Sequence, residues 1–312
     1  MVGPPAEYQC ENDRTTFSEW IPKPLWNSAQ DDSREFVQLV AHYGADAAVL
    51  DDYRVDEVYQ RSVQKAGVPW LQFDGRAHQN LYADIILNTS PGARVKDYET
   101  IICNDASLLF GPKYALLRPE FKNLSLRPSV RPVERVLLTF GGGDDRGANL
   151  FVLQQLLMNT PSIVRFLIIS GESNPRNKEI SSWIDENGKG RVSLKINPPL
   201  IAPLIASCDL AVMAGGTTVY EAACCDLPMV LIAIAENQVK HSLAWEGIGR
   251  AIYLGMLGSF GIEELLAAFR NTTKLRQGQS LSESPQQRIV DGFGADRIAK
   301  QLIDIRSTKA NC

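Results

Sequence analysis

The chain has 312 residues, of which 45% are hydrophobic and 22% are charged. These values are ordinary for a globular protein of one large domain or two domains of medium size. The formal net charge of −4 argues against binding to nucleic acid or an anionic membrane through a basic surface. No apolar run approaches the roughly 18 residues that span a bilayer, and the first residues do not resemble a signal peptide. We therefore expect a cytoplasmic protein without nucleic-acid or membrane partners.

Residues 1–33 show no stable periodicity, and an alternation of helices and strands follows. The segment SREFVQLVAHYG has apolar residues at helical spacing and predicts a helix with Ser33 as its N-cap and Gly44 as its end. The next segments predict a strand, a helix and two strands, which are ADAAVLDDY, VDEVYQRSVQKAG, PWLQFD and ADIILN. This alternation is typical of a parallel sheet with helices on its faces.

A connector rich in Pro and Arg, from Arg118 to Glu134, predicts an interdomain linker. After it the alternation restarts, with predicted strands at RVLLTF, RFLIISG, VSLKI, DLAVMA and MVLIAI. We therefore predict an α/β fold with two Rossmann-like domains that face each other across a cleft. The expected domains are residues 1–125 and 126–288, and residues 289–312 are expected to form a helix that packs back on the first domain.

The six cysteines form none of the CxxC pairs that are typical of zinc sites. Their spacing predicts no disulfide framework either, and buried thiols in a reducing compartment are the expected arrangement. They are Cys10, Cys103, Cys208, Cys224, Cys225 and Cys312. We therefore predict neither a bound metal nor another cofactor.

Two glycine-rich turns follow strands of the second half, where open α/β sheets bind their ligands. They contain Gly141 and Gly142 in TFGGGDD, and Gly215, Gly216, Thr217 and Thr218 after DLAVMA. Glycine lets backbone N–H groups approach an anion closely, which predicts a phosphate site. The alternative is a plain tight turn with a threonine N-cap. Neither turn fits the GxGxxG or Walker pattern.

Two further polar features follow the second turn at fixed spacing. Glu221 comes one helical turn after Thr217, where its carboxylate can accept both hydroxyls of a ribose. The AENQ segment, which ends at Gln238, follows the next apolar run. A solvated surface glutamate is the alternative for Glu221, but the order of phosphate turn, acid and polar turn favours a nucleotide site.

Several segments resemble the UDP-2,4-diacetamido-2,4,6-trideoxy-β-L-altropyranose hydrolase family of pseudaminic acid biosynthesis, whose members have the GT-B fold. The most discriminating segment is LFGPKYALLRPEF, because general GT-B glycosyltransferases are not expected to carry it. The resemblance covers about residue 35 to the C-terminus. The other segments are AAVLDDY, VLLTFGGGD, GGTTVYEA with LIAIAENQ, and IVDGFGADRIA.

The resemblance implies attack of water at the anomeric carbon and release of UDP, without a metal. It implies that Gly215, Gly216, Thr217 and Glu221 hold UDP, and that Asn237 and Gln238 lie next to the sugar and the diphosphate. It also implies that Tyr53 faces the sugar. Without the resemblance, Tyr53 is read as a packed strand-end aromatic and Asn237 as a turn former.

One family motif has no counterpart in this sequence. Family members begin with a strand and a G-x-G-H-x-x-R loop whose histidine is the expected general base, and no such loop is present here. We therefore expect an incomplete first domain. His42 is expected at a helix end, whereas His78 and His241 are candidates to line the cleft. A general base must lie within hydrogen-bond reach of the attacking water.

Three functions are consistent with these patterns. The first is hydrolysis of a UDP-sugar, with Tyr53, Asn237 and His241 as the catalytic candidates. The second is transfer from a UDP-sugar by a GT-B glycosyltransferase, and the third is binding of UDP without catalysis. The LRPEF segment favours the first over the second, whereas the absent histidine loop favours the third. The sequence does not predict an oligomeric state.

Overall fold

The computed structural model of the chain describes residues 29–52, 54–122, 124, 132–278 and 288–310. Tyr53, Cys10 and Cys312 lie outside these ranges. In the described residues the strands form two parallel sheets, one of four strands and one of six strands.

The first sheet contains four strands in the order in which they occur in the chain. They are β1 (Ala48–Leu50), β2 (Trp70–Phe73), β3 (Ile85–Asn88) and β4 (Ser107–Phe110). The strands are short apolar runs, and β3 is buried along its whole length, as expected for a parallel sheet that is covered on both faces.

The second sheet has the strand order β10-β9-β8-β5-β6-β7, and every pair in it is parallel. Its strands are β5 (Arg135–Thr139), β6 (Arg165–Ser170), β7 (Val192–Ile196), β8 (Leu210–Ala214), β9 (Met229–Ala233) and β10 (Ala251–Met256). The chain reverses its direction of winding between β5 and β8, which is where open α/β sheets bind ligands.

Nine α-helices cover the sheets in the described part of the chain. They are α1 (Ala29–His42), α2 (Glu57–Lys65), α3 (Ala148–Asn159), α4 (Asn177–Asn187), α5 (Ala202–Ala206), α6 (Thr218–Cys224), α7 (Val239–Gly247), α8 (Ile262–Gly278) and α9 (Gly294–Ala310). None of them is long and apolar enough to cross a membrane.

The prediction of Ser33 as the N-cap of the first helix is wrong. Ser33 lies inside α1, where its side chain is buried and its hydroxyl donates to the carbonyl oxygen of Gln30, at 3.0 Å. Serine is favoured at N-caps but also bonds to carbonyls of the preceding turn inside helices. Asp31 and Asp32 occupy the first turn instead, where their charge suits the helix dipole.

The chain passes from the first sheet to the second through the segment Tyr114–Phe121. Phe121 is fully buried in the core of the second sheet, and Oε1 of Glu120 accepts hydrogen bonds from the backbone N–H groups of Ile201 and Ala202, both at 2.9 Å. The first part of the predicted linker is thus an anchored element, because a flexible linker would bury no aromatic side chain.

The last helix returns to the first sheet. Ile298 of α9 is buried in one cluster with Leu71, Ile85, Leu87 and Leu109 of the first sheet. Val290, just before the helix, is buried in the core of the second sheet. The turn between Val290 and α9 therefore carries the chain between the two halves a second time.

Candidate functional site

Three loops of the second sheet lie at one edge because the strands before them are parallel neighbours. Thr139 of β5 is paired with Met213 of β8, and Ala214 of β8 is paired with Ile232 of β9. The two glycine-rich turns and the AENQ turn follow these strands directly. The carboxyl edge therefore brings together the three segments that the sequence analysis assigned to UDP.

In the turn after β8, one glycine has no room for a side chain and the other faces open space. Gly215 is buried, and a β-carbon there would overlap Oγ of Ser242 and lie 3.1 Å from the carbonyl oxygen of Gln238. Gly216 has nothing within 4 Å of that position. Thr217 is exposed at the N-cap of α6, and its side chain makes no capping hydrogen bond. The open side of this turn consists of Gly216 and Thr217, followed by half-buried Thr218.

The AENQ turn is fixed by Gln238 and contacts the glycine turn. Oε1 of Gln238 accepts from the backbone N–H of Ile234 at 2.9 Å, and Ser242 donates to the carbonyl oxygen of Gln238 at 2.8 Å. The amide of Gln238 is therefore used to hold the turn. Asn237 beside it is exposed, so its amide is accessible to a ligand.

Glu221 lies on α6 with its side chain half-buried. Burial raises the pKa of this carboxyl, nearby Arg118 opposes the rise, and Glu120 adds to it. Arg118 and Glu120 belong to the segment that leaves the first sheet. Glu221 is therefore a partly desolvated acceptor beside the passage between the two halves of the molecule.

Both ring nitrogens of His241 have protein partners. Nδ1 lies 2.8 Å from the carbonyl oxygen of Gly215, so it carries the proton and donates. Nε2 accepts from the indole N–H of Trp245 at 3.0 Å and lies 3.0 Å from the hydroxyl of Tyr220. This set of partners fixes the neutral Nδ1–H tautomer. Burial lowers the pKa of His241, and the hydrogen bond to Gly215 acts in the opposite direction.

Tyr220 joins this histidine to the first sheet. The hydroxyl of Thr89, in the loop after β3, donates to the hydroxyl of Tyr220 at 3.0 Å. Tyr220 is buried, and burial raises its pKa to about 12, so its hydroxyl keeps its proton at neutral pH. The carboxyl edges of the two sheets thus face each other at this point. Sequence reasoning identified neither Thr89 nor Tyr220, because a contact between residues 131 positions apart leaves no local pattern.

The glycine turn after β5 is packed against a neighbouring loop. Gly141 has a φ of +96°, a conformation that favours glycine. A β-carbon on Gly171, after β6, would overlap the backbone of Gly142. Asp145 is fully buried and accepts from the N–H of Gly147 at 2.9 Å and from Nδ2 of Asn149 at 2.8 Å. The backbone of this turn is therefore held firmly, while Gly141 and Gly142 are exposed.

The remaining candidates lie apart from this group. His42 ends α1 and is exposed, and His78 is exposed in the loop after β2. Among the described residues, no three His, Cys, Asp or Glu side chains are gathered so that they could hold a metal ion. Cys224 is buried, and burial raises its thiol pKa to about 12, which makes it unreactive. Tyr53, the remaining catalytic candidate, lies outside the described residues.

Known proteins give only distant similarities, and no model of a protein family matches the chain. The chain is 24% identical over 241 residues to the spore coat polysaccharide biosynthesis protein SpsG of Bacillus subtilis, which covers 75% of this chain and 66% of that protein. It is 22% identical over 226 residues to the UDP-2,4-diacetamido-2,4,6-trideoxy-beta-L-altropyranose hydrolase of Campylobacter jejuni. This match covers 72% of this chain and 79% of that protein.

An uncharacterized protein of Methanocaldococcus jannaschii, MJ1062, is 24% identical over 214 residues, which is 66% of this chain and 44% of that protein. The chain therefore spans less than half of the archaeal relative, and about two thirds of SpsG.

Solved structures share the fold with this chain. MurG of Acinetobacter baumannii has a TM-score of 0.57 at 13% identity, over 88% of this chain and 78% of that chain. A putative UDP-N-acetylglucosamine 2-epimerase of Listeria monocytogenes has a TM-score of 0.56 at 13% identity, over 89% and 80% of the respective chains. The chain has a GT-B glycosyltransferase-like α/β fold with two parallel sheets, and the prediction of this fold class is confirmed.

Proposed function

We propose that this protein binds a UDP-sugar in the cleft between the two sheets and hydrolyses it. The observation that carries the proposal is the direct contact between two polar turns, at Gly215 and Gln238, on the edge that faces Thr89 of the first sheet. A nucleotide held on one edge would present its sugar to the other. The distant similarity to a UDP-sugar hydrolase of Campylobacter jejuni supports this choice of ligand.

In this proposal the second sheet holds UDP. The glycine turns, with Gly141, Gly142, Gly215 and Gly216, would donate backbone N–H groups to the diphosphate, and Thr217 and Thr218 would add their hydroxyls. Glu221 would accept the two ribose hydroxyls. Gln238 would act on the diphosphate through the turn that it holds, since its side chain already bonds to Ile234.

The reaction would be a displacement at the anomeric carbon. The oxygen of water forms a bond to C1 while the bond from C1 to the phosphate oxygen breaks, and UDP leaves with the electron pair of that bond. The attacking water loses one proton, which passes to the departing phosphate oxygen or to solvent water, so that the products are the free sugar and UDP. Asn237 and Tyr53 enter the proposal as the groups that orient the sugar and this water. His241, whose two ring nitrogens are both bonded to the protein, enters it as the group that holds the Gly215 turn in place. In pathway terms, the product would be the diacetamido-trideoxyhexose of pseudaminic acid biosynthesis.

The proposal is tested first by binding and then by turnover. Calorimetry with UDP should show one site, and incubation with the UDP-diacetamido-trideoxyhexose should release UDP in the absence of any acceptor. Release that requires an acceptor would assign the protein to the glycosyltransferases. Binding of UDP without release under either condition would make it a non-catalytic binding protein, and failure to bind UDP would overturn the proposal.

A matched pair of glycine variants separates ligand contact from folding. Both Gly216 and Gly247 have open space where a β-carbon would be built, so alanine at either position should leave the fold intact. Gly216→Ala should nevertheless weaken UDP binding about tenfold, equivalent to ~1.4 kcal/mol, because a methyl group would stand between the backbone and the diphosphate. Gly247→Ala, at the far end of α7, should bind UDP like the unchanged protein.

A further inference from the structure

The two sheets are joined across the cleft by a chain of hydrogen bonds. Thr89 donates to the hydroxyl of Tyr220, which donates to Nε2 of His241, and Nδ1 of His241 donates to the carbonyl oxygen of Gly215. The directions are fixed, because the carbonyl of Gly215 can only accept and the indole of Trp245 can only donate to Nε2. This series of hydrogen bonds begins in the loop after β3 of the first sheet and ends at the glycine turn after β8 of the second sheet.

The loop that carries Thr89 is held on both sides of that residue. Nδ2 of Asn88 donates to the hydroxyl of Tyr98 at 2.9 Å, and Oδ1 of Asn88 accepts from the N–H of Ser90 at 3.0 Å. Asn88 and Tyr98 are both buried. The Thr89 hydroxyl is therefore held in a fixed position relative to β3, and it would move together with the first sheet.

A second contact brings the same loop against α7. A β-carbon built on Gly92 would lie 3.2 Å from the β-carbon of Ala244, so loop and helix are in close contact. His241 and Trp245 project from this same helix. Tyr220 of α6 is bonded to His241 of α7, so movement of the first sheet relative to these two helices would stretch the bond between Thr89 and Tyr220.

We infer that Thr89 and Tyr220 are positioning residues that hold the sugar-side sheet in register with the glycine turn. This inference rests on the proposed function, because the register matters if a sugar on one edge must meet a diphosphate on the other. Tyr220 acts through His241 on the Gly215 turn, and neither Thr89 nor Tyr220 needs to touch the substrate. Rigid support of this kind is what reacting groups require, since small displacements cost large factors in rate.

The kinetic test uses substitutions that keep side-chain volume. Thr89→Val removes the hydroxyl and should lower kcat/KM for the UDP-sugar about tenfold, while the Kd for UDP alone stays within about twofold, because UDP contacts the second sheet only. Thr89→Ser keeps the hydroxyl and should restore turnover. Tyr220→Phe should lower kcat/KM to the same extent as Thr89→Val, and the kcat/KM of the double variant should be no lower than that of either single variant. Thr273→Val, which removes a hydroxyl bonded within α8, is the control.

Additive losses in the double variant would overturn the inference, as would unchanged turnover in Thr89→Val or an equal fall in the affinity for UDP. A second measurement separates this inference from the proposed function. The unfolding midpoints of the unchanged protein, Thr89→Val, Tyr220→Phe and their double variant should show coupling between positions 89 and 220, whether or not a ligand binds. If the midpoints show coupling but the protein neither binds nor releases UDP, the proposed function is rejected and the contact between Thr89 and Tyr220 stands. If the midpoint changes of the two single variants simply add in the double variant, the contact itself is rejected.

Discussion

Gly294, the first residue of α9, packs so closely on Ala115 that a β-carbon at position 294 would overlap the carbonyl oxygen of Ala115. Ala115 belongs to the segment GPKYALLRPEF and Gly294 to IVDGFGADRIA. Along the sequence, the strands of the second sheet lie between these two segments. Arg297 strengthens the contact, since Nη1 donates to the carbonyl oxygen of Lys113 at 2.8 Å and the guanidinium is paired with Asp291. Two segments that carry the family resemblance thus meet at the passage between the two halves.

The docking of α9 should contribute a large share of the stability of the first sheet. Ile298→Ala would leave a cavity among Leu71, Ile85 and Leu87 and should lower the free energy of unfolding by ~2–5 kcal/mol. Ile303→Ala on the same helix is the matched control, because Ile303 is 62% exposed and its loss should change stability little. Chemical denaturation measures both variants. Equal stability of the two would show that α9 does not hold the first sheet.

The contact between the two polar turns can be tested by overpacking. Gly215→Ala would force a methyl group against Oγ of Ser242 and should destabilise the protein by ~1–3 kcal/mol. The double change Gly215→Ala with Ser242→Ala removes the overlapping oxygen and should recover part of this loss. Thermal unfolding measures the effect. A Gly215→Ala protein as stable as the original would contradict the close packing.

Glu221 offers a pH-dependent test of ribose binding. Glu221→Gln should weaken UDP binding by ~1–3 kcal/mol, since a neutral amide is a poorer acceptor for the ribose hydroxyls. Burial raises the pKa of Glu221, so protonation should begin to weaken binding at a higher pH than for an ordinary glutamate. The ratio of the two proteins' Kd values should therefore shrink as the pH is lowered.

The ratio isolates Glu221, because UDP itself titrates equally in both measurements. Glu263→Gln, on the exposed start of α8, is the control and should bind UDP like the unchanged protein at every pH. A Glu221→Gln protein with unaltered affinity would remove this residue from the nucleotide site.

His241 should make the stability of the protein depend on pH in mildly acid solution. Its pKa in the folded protein is lowered from the ordinary value of 6.5, so below that pH the unfolded chain takes up a proton that the folded chain does not. Stability is therefore present in full above pH 6.5 and falls as the pH decreases toward the lowered pKa, by at most ~1.4 kcal/mol per pH unit.

The measurement is the unfolding midpoint between about pH 5 and pH 8, a range that brackets the ordinary histidine pKa. His241→Asn keeps a donor for Gly215 but cannot titrate, so its midpoint should depend less on pH. His42→Asn, at an exposed position, should keep the original dependence. Identical pH dependence of all three proteins would mean that His241 is not held neutral.

The sequence allowed prediction of elements with long local patterns. The buried strands and the helices of the second half were found because apolar runs and glycine breaks alternate there. Strands β4 and β10 and the helix α8 were not identified. β4 (SLLF) is a run of only four residues, and Gly255 gives β10 a φ of +117° and a shifted register. Such features carry little periodic signal.

The parts of the site that the sequence could not give are relations between distant residues. The glycine turns, Glu221 and the AENQ turn follow from local order along the chain. The partners of His241 do not, because Tyr220 of α6 and Gly215 of the preceding turn come within hydrogen-bond distance of this α7 residue only in the folded chain. Thr89 comes from the other sheet. The assignments of Asn237 and His241 as catalytic residues stay predictions.

The two passages of the chain between the sheets run side by side. Gly292 lies against the carbonyl oxygen of Phe121, and Lys122 is paired with Asp296 at 2.6 Å. Because the two connections are fixed to each other, they form one joint between the two halves. We expect any relative movement of the sheets to be centred on this joint, and such a movement would act on the hydrogen bond between Thr89 and Tyr220.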